Sequence, residues 1–457
     1  MKTCLSAGLT LWFLLFVVVA PPPAQASGPL LPALRPKGVL VPFQFDGFRG
    51  QDMVSDAEFV YLGFERATDD FQDKIIRFRI ADGKLDPAWA PSIGGHKLCL
   101  TKQRLFFARG TGLAEILAAD LKAADLAPFS ILLGNHNLCI ENPGCFLLAS
   151  LQAGSQWVYS GGLFLAEDYP DLHGKIPSNL VRIDQVTGAA EAVRLREIEA
   201  VGGMAADAER LYVGSTTFDA AGPSEHLLVA IGHSDITRTC WVVPLGEGSG
   251  EPFLKDGVLW VSGDFREVAG QPRAGLATLD PATGALLPET VRFQLAHPFV
   301  KPSFRILAAE GDQFVVAGDF TSVNGLPRQG LAILDFRTGE VLSWNPLTGN
   351  EGRIESVAVT TNAVYVLGRF YEIGGVARRN FVVFDRLAVP QLRLPQLTAA
   401  GFTAQVTAAP GYAHVLQRSA DLQNWQTLST NTPTNAIFTV QDKAPATSPQ
   451  FYRLLVR

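Results

Sequence analysis

Two columns of charged residues have the type and spacing to do chemistry. Arg273, Arg328 and Arg378 recur at one position of a repeated segment, and Asp280, Asp335 and Asp385 at another. Such groups could form a ring facing a ligand. A residue present in every unit more simply serves every unit, by tying down a turn or pairing with a carboxylate, and that structural role is expected. Gly263-Asp264 and Gly318-Asp319 suggest calcium, but calcium takes six to eight oxygens in a compact loop. One Asp per unit does not supply them. Denser acidic candidates are Glu167-Asp168-Tyr169-Pro170-Asp171 and Asp69-Asp70 with Asp73. Each reads first as a solvated turn.

Catalytic signatures are missing from the chain. The seven histidines are scattered, and none forms His-Glu-x-x-His. No Gly-x-Ser-x-Gly nucleophile elbow occurs. Gly174-Lys175 lacks the following Ser or Thr of a phosphate loop. His233-Ser234-Asp235 sets three triad residue types side by side, but a triad assembles from distant positions. Neighbouring side chains on a strand also point to opposite faces. No catalytic residue, cofactor site or metal site is expected.

Cysteine chemistry is the remaining candidate. Of five cysteines, Cys4 lies in the leader described below, leaving Cys99, Cys139, Cys145 and Cys240. Cys139 and Cys145 flank the turn-forming Ile140-Glu141-Asn142-Pro143-Gly144, and a disulfide between them is the favoured reading. Closing so small a ring would contribute roughly 2–3 kcal/mol. Two buried thiols are the plainer alternative. A metal site with His136 is the third, although it has only these three ligand candidates and no recognised zinc spacing. Nothing in the sequence pairs Cys99 with Cys240.

The elements that carry the charged columns come from an internal repeat. GDFREVAGQPRAGLATLD from Gly263, GDFTSVNGLPRQGLAILD from Gly318 and GRFYEIGGVARRNFVVFD from Gly368 align without a gap, about 50 residues apart. Such a period marks a solenoid, a propeller or an array. Phe314 to Ala317 is a strand-type run ended by Gly318, where a side chain would obstruct a bend or a neighbouring backbone. Phe320 and Val323 are apolar at fixed offsets, as packing between sheets needs. Asn324-Gly325, Ala269-Gly270 and Gly374-Gly375 suit tight hairpins. Leu331 to Leu334 is a second strand, and Arg337-Thr338-Gly339-Glu340 turns the chain to a third. Four short strands in about 50 residues match one propeller blade.

Fainter copies extend upstream. Strand–glycine signals near Tyr61, Leu105, Trp157, Leu211, Leu259, Phe314 and Val364 give seven blades, with six or eight one miscount away. LAEILAADLKAADLA from Leu113 has helix-forming composition, as does EAVRLREIEA from Glu191 on a smaller scale. The repeat register places strands there, and strand is the expectation at Leu113. The fold class is therefore all-β: a seven-bladed β-propeller over residues 38–390, followed by a small β-sandwich-like domain over 391–457. Trp425 and Phe451-Tyr452 are its expected core anchors.

The pattern Gly318-Asp319-Phe320, Asn324-Gly325, Pro327-Arg328 and Leu331 to Asp335 resembles the delta-60 type repeat of bacterial secreted β-propellers. The resemblance is strong from Gly263 to Arg386 and suggestive from Asp56 to Leu245. Arg369 and Ala377 replace Asp and Pro in the third copy, so those columns do not behave as an essential site. VLQRSADLQNWQTL and the closing FYRLLVR look like a tail module of large secreted bacterial proteins. Neither resemblance implies a defined activity. RSADLQNWQ from Arg418 also has the outline of a sialidase Asp-box, but Trp425 comes one residue early and Gln423 stands at the glycine position.

Composition sets the compartment and excludes partners. Lys2, the apolar run Leu9 to Ala20 and Ala24-Gln25-Ala26 read as a signal peptide over residues 1–26. Its run is too short for a comfortable membrane span, and no transmembrane segment is expected after cleavage. The formal charge of −6 becomes −7 when Lys2 leaves. A mildly acidic chain without basic clusters argues against nucleic acid. The expectation is a secreted, periplasmic or cell-surface protein with a protein or glycan partner. It would be a non-catalytic binding or structural scaffold. The alternative is a polysaccharide-active glycosidase or lyase whose carboxylates come from different blades.

Overall fold

The computed structural model describes residues 36–37 and 48–456, apart from 67–73, 96, 111–112, 129–130, 136–149, 163–178, 219–223, 296–302, 311, 336, 343–352, 361–362, 374–375, 378–380, 386–390, 399–400, 408–413, 436 and 444–449. Among these residues every regular element is a strand. The chain divides into two compact units, one over Arg35–Asp385 and one containing Arg386–Arg457.

In the first unit, the described residues form seven antiparallel sheets of three or four strands in chain order, with short ribbons beside some of them. The innermost strands are Phe48–Ser55, Lys97–Leu100, Ser150–Ala153, Ala200–Ala206, Gly250–Lys255, Phe304–Glu310 and Arg353–Val359. Each packs on the next, and the last returns to the first, so the sheets close a ring. The sheet of Arg353–Val359 receives its outermost strand from the other end of the unit, where Pro36 pairs with Phe384 and Lys37 with Val383. The architecture is a β-propeller. Its strand–glycine signals fall on the second strand of each sheet, from Phe59–Arg66 to Ala363–Arg369.

Second strands are continuously apolar because both of their faces are covered. In the fifth sheet, Leu259 and Val261 pack with Tyr212 and Leu228 of the fourth. Trp260, on the opposite face, packs with Phe304 and Phe314 of the sixth. Alternation therefore sends successive side chains into different interfaces. Fully burying one such side chain contributes about 1.5–3 kcal/mol, and a lone blade could bury neither face. Leu113–Asp120 shows why helix propensity loses here. Ile116 and Ala118 pack toward the third sheet, whereas Leu117 and Ala119 pack toward the first. In EAVRLREIEA only the two ends join strands, Glu191 and Ala192 in Ala190–Ala192 and Ala200 in Ala200–Ala206.

The turns follow the sequence chemistry. Asn324 and Gly325 have φ of 47° and 79°, and Ala269 and Gly270 have 51° and 75°, the left-handed pair that a two-residue hairpin needs. Gly318 answers a close approach: a Cβ there would run into the Ser303 carbonyl. Long polar side chains then reach to the turns of the next blade. Trp89 Nε1 donates to Asp120 O (3.0 Å), Arg104 Nη1 to Gln185 O (2.8 Å) and Trp241 Nε1 to Pro281 O (3.1 Å).

The second unit contains two three-stranded sheets. Phe402, Ala404, Val406 and Val440 of one share a core with Leu416 and Tyr452 of the other. Phe402 stacks on Tyr452 with ring centroids 3.9 Å apart. Two expectations need correction. Trp425 is not a core anchor: it lies half-buried under the Arg453 guanidinium, 4.2 Å from its ring, and donates to Leu422 O. Phe451 is likewise only half-buried, which leaves Tyr452 as the anchor of that pair. Gln391–Thr398 is a strand despite Pro395, because it lies at a sheet edge with an irregular register between Arg393 and Gln396.

Candidate functional site

The repeated charges are occupied by the blades themselves. Asp335 Oδ1 accepts from the Arg337 and Thr338 N–H groups at 3.0 and 2.9 Å, and from the Thr338 hydroxyl. Asp280 accepts from Ala282 and Thr283 N–H in the same way. Those N–H donors hold the Asp280 carboxyl below its usual range. Arg328 donates to Pro327 O and Leu342 O, and Arg273 to Pro272 O and Leu287 O. Arginine therefore straps the turn to the segment that follows the third strand. Asp264 accepts from the Ser249 N–H and hydroxyl, at 2.6 and 2.9 Å. Asp385's side chain and Arg378 lie outside the described residues.

Other sequence candidates do not converge. His233 Nδ1 lies 2.7 Å from the Tyr159 hydroxyl and Nε2 lies 3.0 Å from Asp207 O. Asp235 instead accepts from Thr237 and pairs with Arg238. The His-Ser-Asp run is thus split between a joint of two blades and a surface turn. Cys99 is a buried free thiol and Cys240 an exposed one. Cys139, Cys145 and His136 lie outside the described residues, as do 1–26, Asp69-Asp70, Asp73, Gly174-Lys175 and the 167–171 loop. Among the described residues no three His, Cys, Asp or Glu side chains gather to hold a metal ion.

A different set of charges meets at the axis of the ring. A cavity of about 260 Å³ is lined by all of the innermost strands, with Asp52, Lys97, Glu251, Arg305 and Glu355 as its charged members. Cross-strand register places them near one level. Asp52 pairs with Gly63, Lys97 with Ala108, Glu251 with Ser262 and Arg305 with Ala317, each near the end of its second strand. Bulges help to aim this layer inward. Register skips occur between Val201 and Gly203, Ile306 and Ala308, and Ile354 and Ser356. The skipped residues, Gly202, Leu307 and Glu355, all line the cavity. An unpaired extra residue is how a bulge re-aims a side chain.

Some of this layer staples the ring. Asp52 Oδ2 accepts the Leu98 N–H of the next blade at 3.0 Å. The Met53 N–H is shared between Asp52 Oδ1 (2.9 Å) and Ser356 Oγ of the last blade (3.1 Å). Ser262 Oγ accepts the Ile306 N–H across the joint between the fifth and sixth blades. Asp52 keeps some exposure to the channel while protein encloses it. That enclosure pushes its carboxyl above the ordinary value, opposed by Lys97, the two N–H donors and Arg305. Burial, then the charge of Asp52, pushes the Cys99 thiol up to about 12. Glu251 Oε2 stands 3.5 Å from Arg305 Nε.

Sequence reasoning missed this layer because the innermost strands precede the eighteen aligned columns. One signal could have found it. A charge stands eleven to thirteen residues before a glycine of the second strand in Asp52–Gly63, Glu251–Gly263, Arg305–Gly318 and Glu355–Gly368.

The ring and its axial cavity define the class: a β-propeller with a charged central channel. No protein-family model and no curated protein matches the chain. Among solved structures, the β-propeller domain of the Trilobed protease from Pyrococcus furiosus aligns at 11% identity and TM-score 0.44, over 74% of this chain and 95% of that one. A chain of a mitotic checkpoint complex aligns at 12% identity and TM-score 0.46, over 83% and 100%. A puromycin hydrolase aligns at 15% identity and TM-score 0.42 over 79% of this chain, which spans 58% of the hydrolase.

Proposed function

We propose that this chain is an exported, non-catalytic seven-bladed propeller that serves as a binding or structural scaffold for a protein or an extracellular glycan. Its resemblance to secreted delta-60 type repeats and the leader-like residues 1–26 support export. The observation that carries the non-catalytic reading is the state of the channel carboxylates. Asp52 is committed to two backbone N–H groups, one of them in the next blade, and Glu251 sits beside Arg305. These groups join strands. Incubating the purified chain with glycan and protein arrays, and assaying the same ligands for turnover, tests the reading. Saturable retention without a product is expected, and product formation would overturn it.

A polysaccharide-active enzyme is the second reading. Its support is that Asp52, Glu251 and Glu355, from three different blades, share one cavity, and that burial raises the Asp52 carboxyl. A raised acid beside an ionised carboxylate is the arrangement glycoside hydrolysis uses. Release of reducing ends from a polysaccharide panel, lost in Glu355→Gln, would establish it. An inert wild-type chain would remove it.

A further inference from the structure

The order of charges around the channel is asymmetric. Passing from the sixth blade to the second, the cavity presents Arg305, Glu355, Asp52 and Lys97. Glu355 and Asp52 stand together with a donor on either side, and each Asp52 oxygen, though it holds one backbone N–H, keeps a second lone pair. The opposite arc presents Ser150 and Gly202, which are small and neutral, before Glu251 closes the circuit beside Arg305. One side of the cavity therefore offers hydrogen-bonding groups of both kinds, and the other offers room.

We propose that this cavity binds a single neutral, polyhydroxylated unit, the end residue of a glycan. The inference deepens the scaffold reading and rests on it. Size supports a small ligand. About 260 Å³ holds the share of roughly eight or nine waters and lies just below the 300–1,000 Å³ usual for drug-sized ligands. Chemistry supports hydroxyls. Lys and Arg only donate, ionised carboxylates only accept, and a hydroxyl does both. Vicinal hydroxyls can thus run across the acceptor pair and reach the donors beside it. Charge argues against the alternatives. An anion meets three carboxylates and only two cations, and a cation must sit between Lys97 and Arg305 to reach the acceptor pair, an arrangement that putrescine tests directly.

The space opposite gives a clean perturbation. Gly202 is exposed and lies on a bulge, and a Cβ built there meets nothing nearer than Gly214 O at 3.8 Å. A side chain can leave the backbone here without a clash at its Cβ, and a large one takes up cavity volume. Titration calorimetry of the whole chain with methyl glucoside, methyl galactoside and N-acetylglucosamine tests the proposal, with glucuronate and putrescine as the charged comparisons. Saturable binding of at least one neutral sugar is expected, abolished in Gly202→Trp and weakened about tenfold or more in Glu355→Gln. A tenfold loss corresponds to about 1.4 kcal/mol. Circular dichroism of both variants should match the wild type, and unfolding of one leaves the other to decide. No binding of a neutral sugar, tighter binding of glucuronate or putrescine, or binding that survives both substitutions would overturn the site. Array binding that persists in Gly202→Trp would sink the site and leave the scaffold reading standing. Turnover by the wild type would sink the scaffold reading and leave the site.

Discussion

The repeated charges of the blades and the charges of the channel differ in one respect that separates their roles. Arg273 and Arg328 occupy one column and make the same pair of carbonyl contacts. Asp184, Asp280 and Asp335 close the same turn in three blades. At the channel level the residue changes from blade to blade, from Asp52 to Lys97 to Gly202 to Glu251. A group needed to build a blade must appear in many blades. A group needed to recognise something need appear only once. The difference teaches that, in a ring of similar units, a binding site is sought where the repeat fails.

The contrast can be broken at several strengths. The largest effect is expected for the packing that the three aligned copies share. Phe320 is 2% exposed and packs among Phe293 and Phe304, so Phe320→Ala should cost about 3–5 kcal/mol in urea denaturation. The Arg straps come next. Arg328→Met leaves the Pro327 and Leu342 carbonyls without their donor, and a loss of about 1–3 kcal/mol is expected by the same measurement. Trp425→Ala should fall below both, at roughly 1 kcal/mol or less, because its ring is only half-buried beneath Arg453 and an exposed cation–π contact is weak.

The smallest effect is a pH dependence. The backbone N–H of Thr187, then Gln156 and the Thr187 hydroxyl, lower Asp184 from 3.8 to about 2. A carboxylate with a depressed folded value stabilises the fold above its unfolded value and loses that contribution as pH falls through the folded one. The melting temperature of Asp184→Asn should therefore lie slightly below wild type at pH 6, and the gap should close between about pH 4 and pH 2. A gap that widens on acidification would contradict the turn assignment.

The fold was legible where the physics is local and repeated. Asn324-Gly325 demands its turn wherever it stands, and Asp335 caps the next one through neighbouring N–H groups. The strand at Leu113 was legible only through register, because its composition favours helix and burial on both faces decides otherwise. Trp425 was misread because a tryptophan near a sequence of strands suggests a core, whereas an arginine 28 residues later, Arg453, covers it at the surface. Gln391–Thr398 was hidden by Pro395, which an edge strand tolerates. The channel was illegible for a deeper reason. Its residues come from different blades and share no motif, so only ring closure brings them together.

Paired denaturation of Arg328→Met and Glu355→Gln tests the division of labour most directly. A shared-column residue should cost about 1–3 kcal/mol, whereas Glu355→Gln, which removes the charge but keeps an acceptor oxygen in place, should cost less than Arg328→Met. Equal losses in the two variants would contradict the account, because Glu355 would then be holding the ring together as Asp52 and the blade charges do.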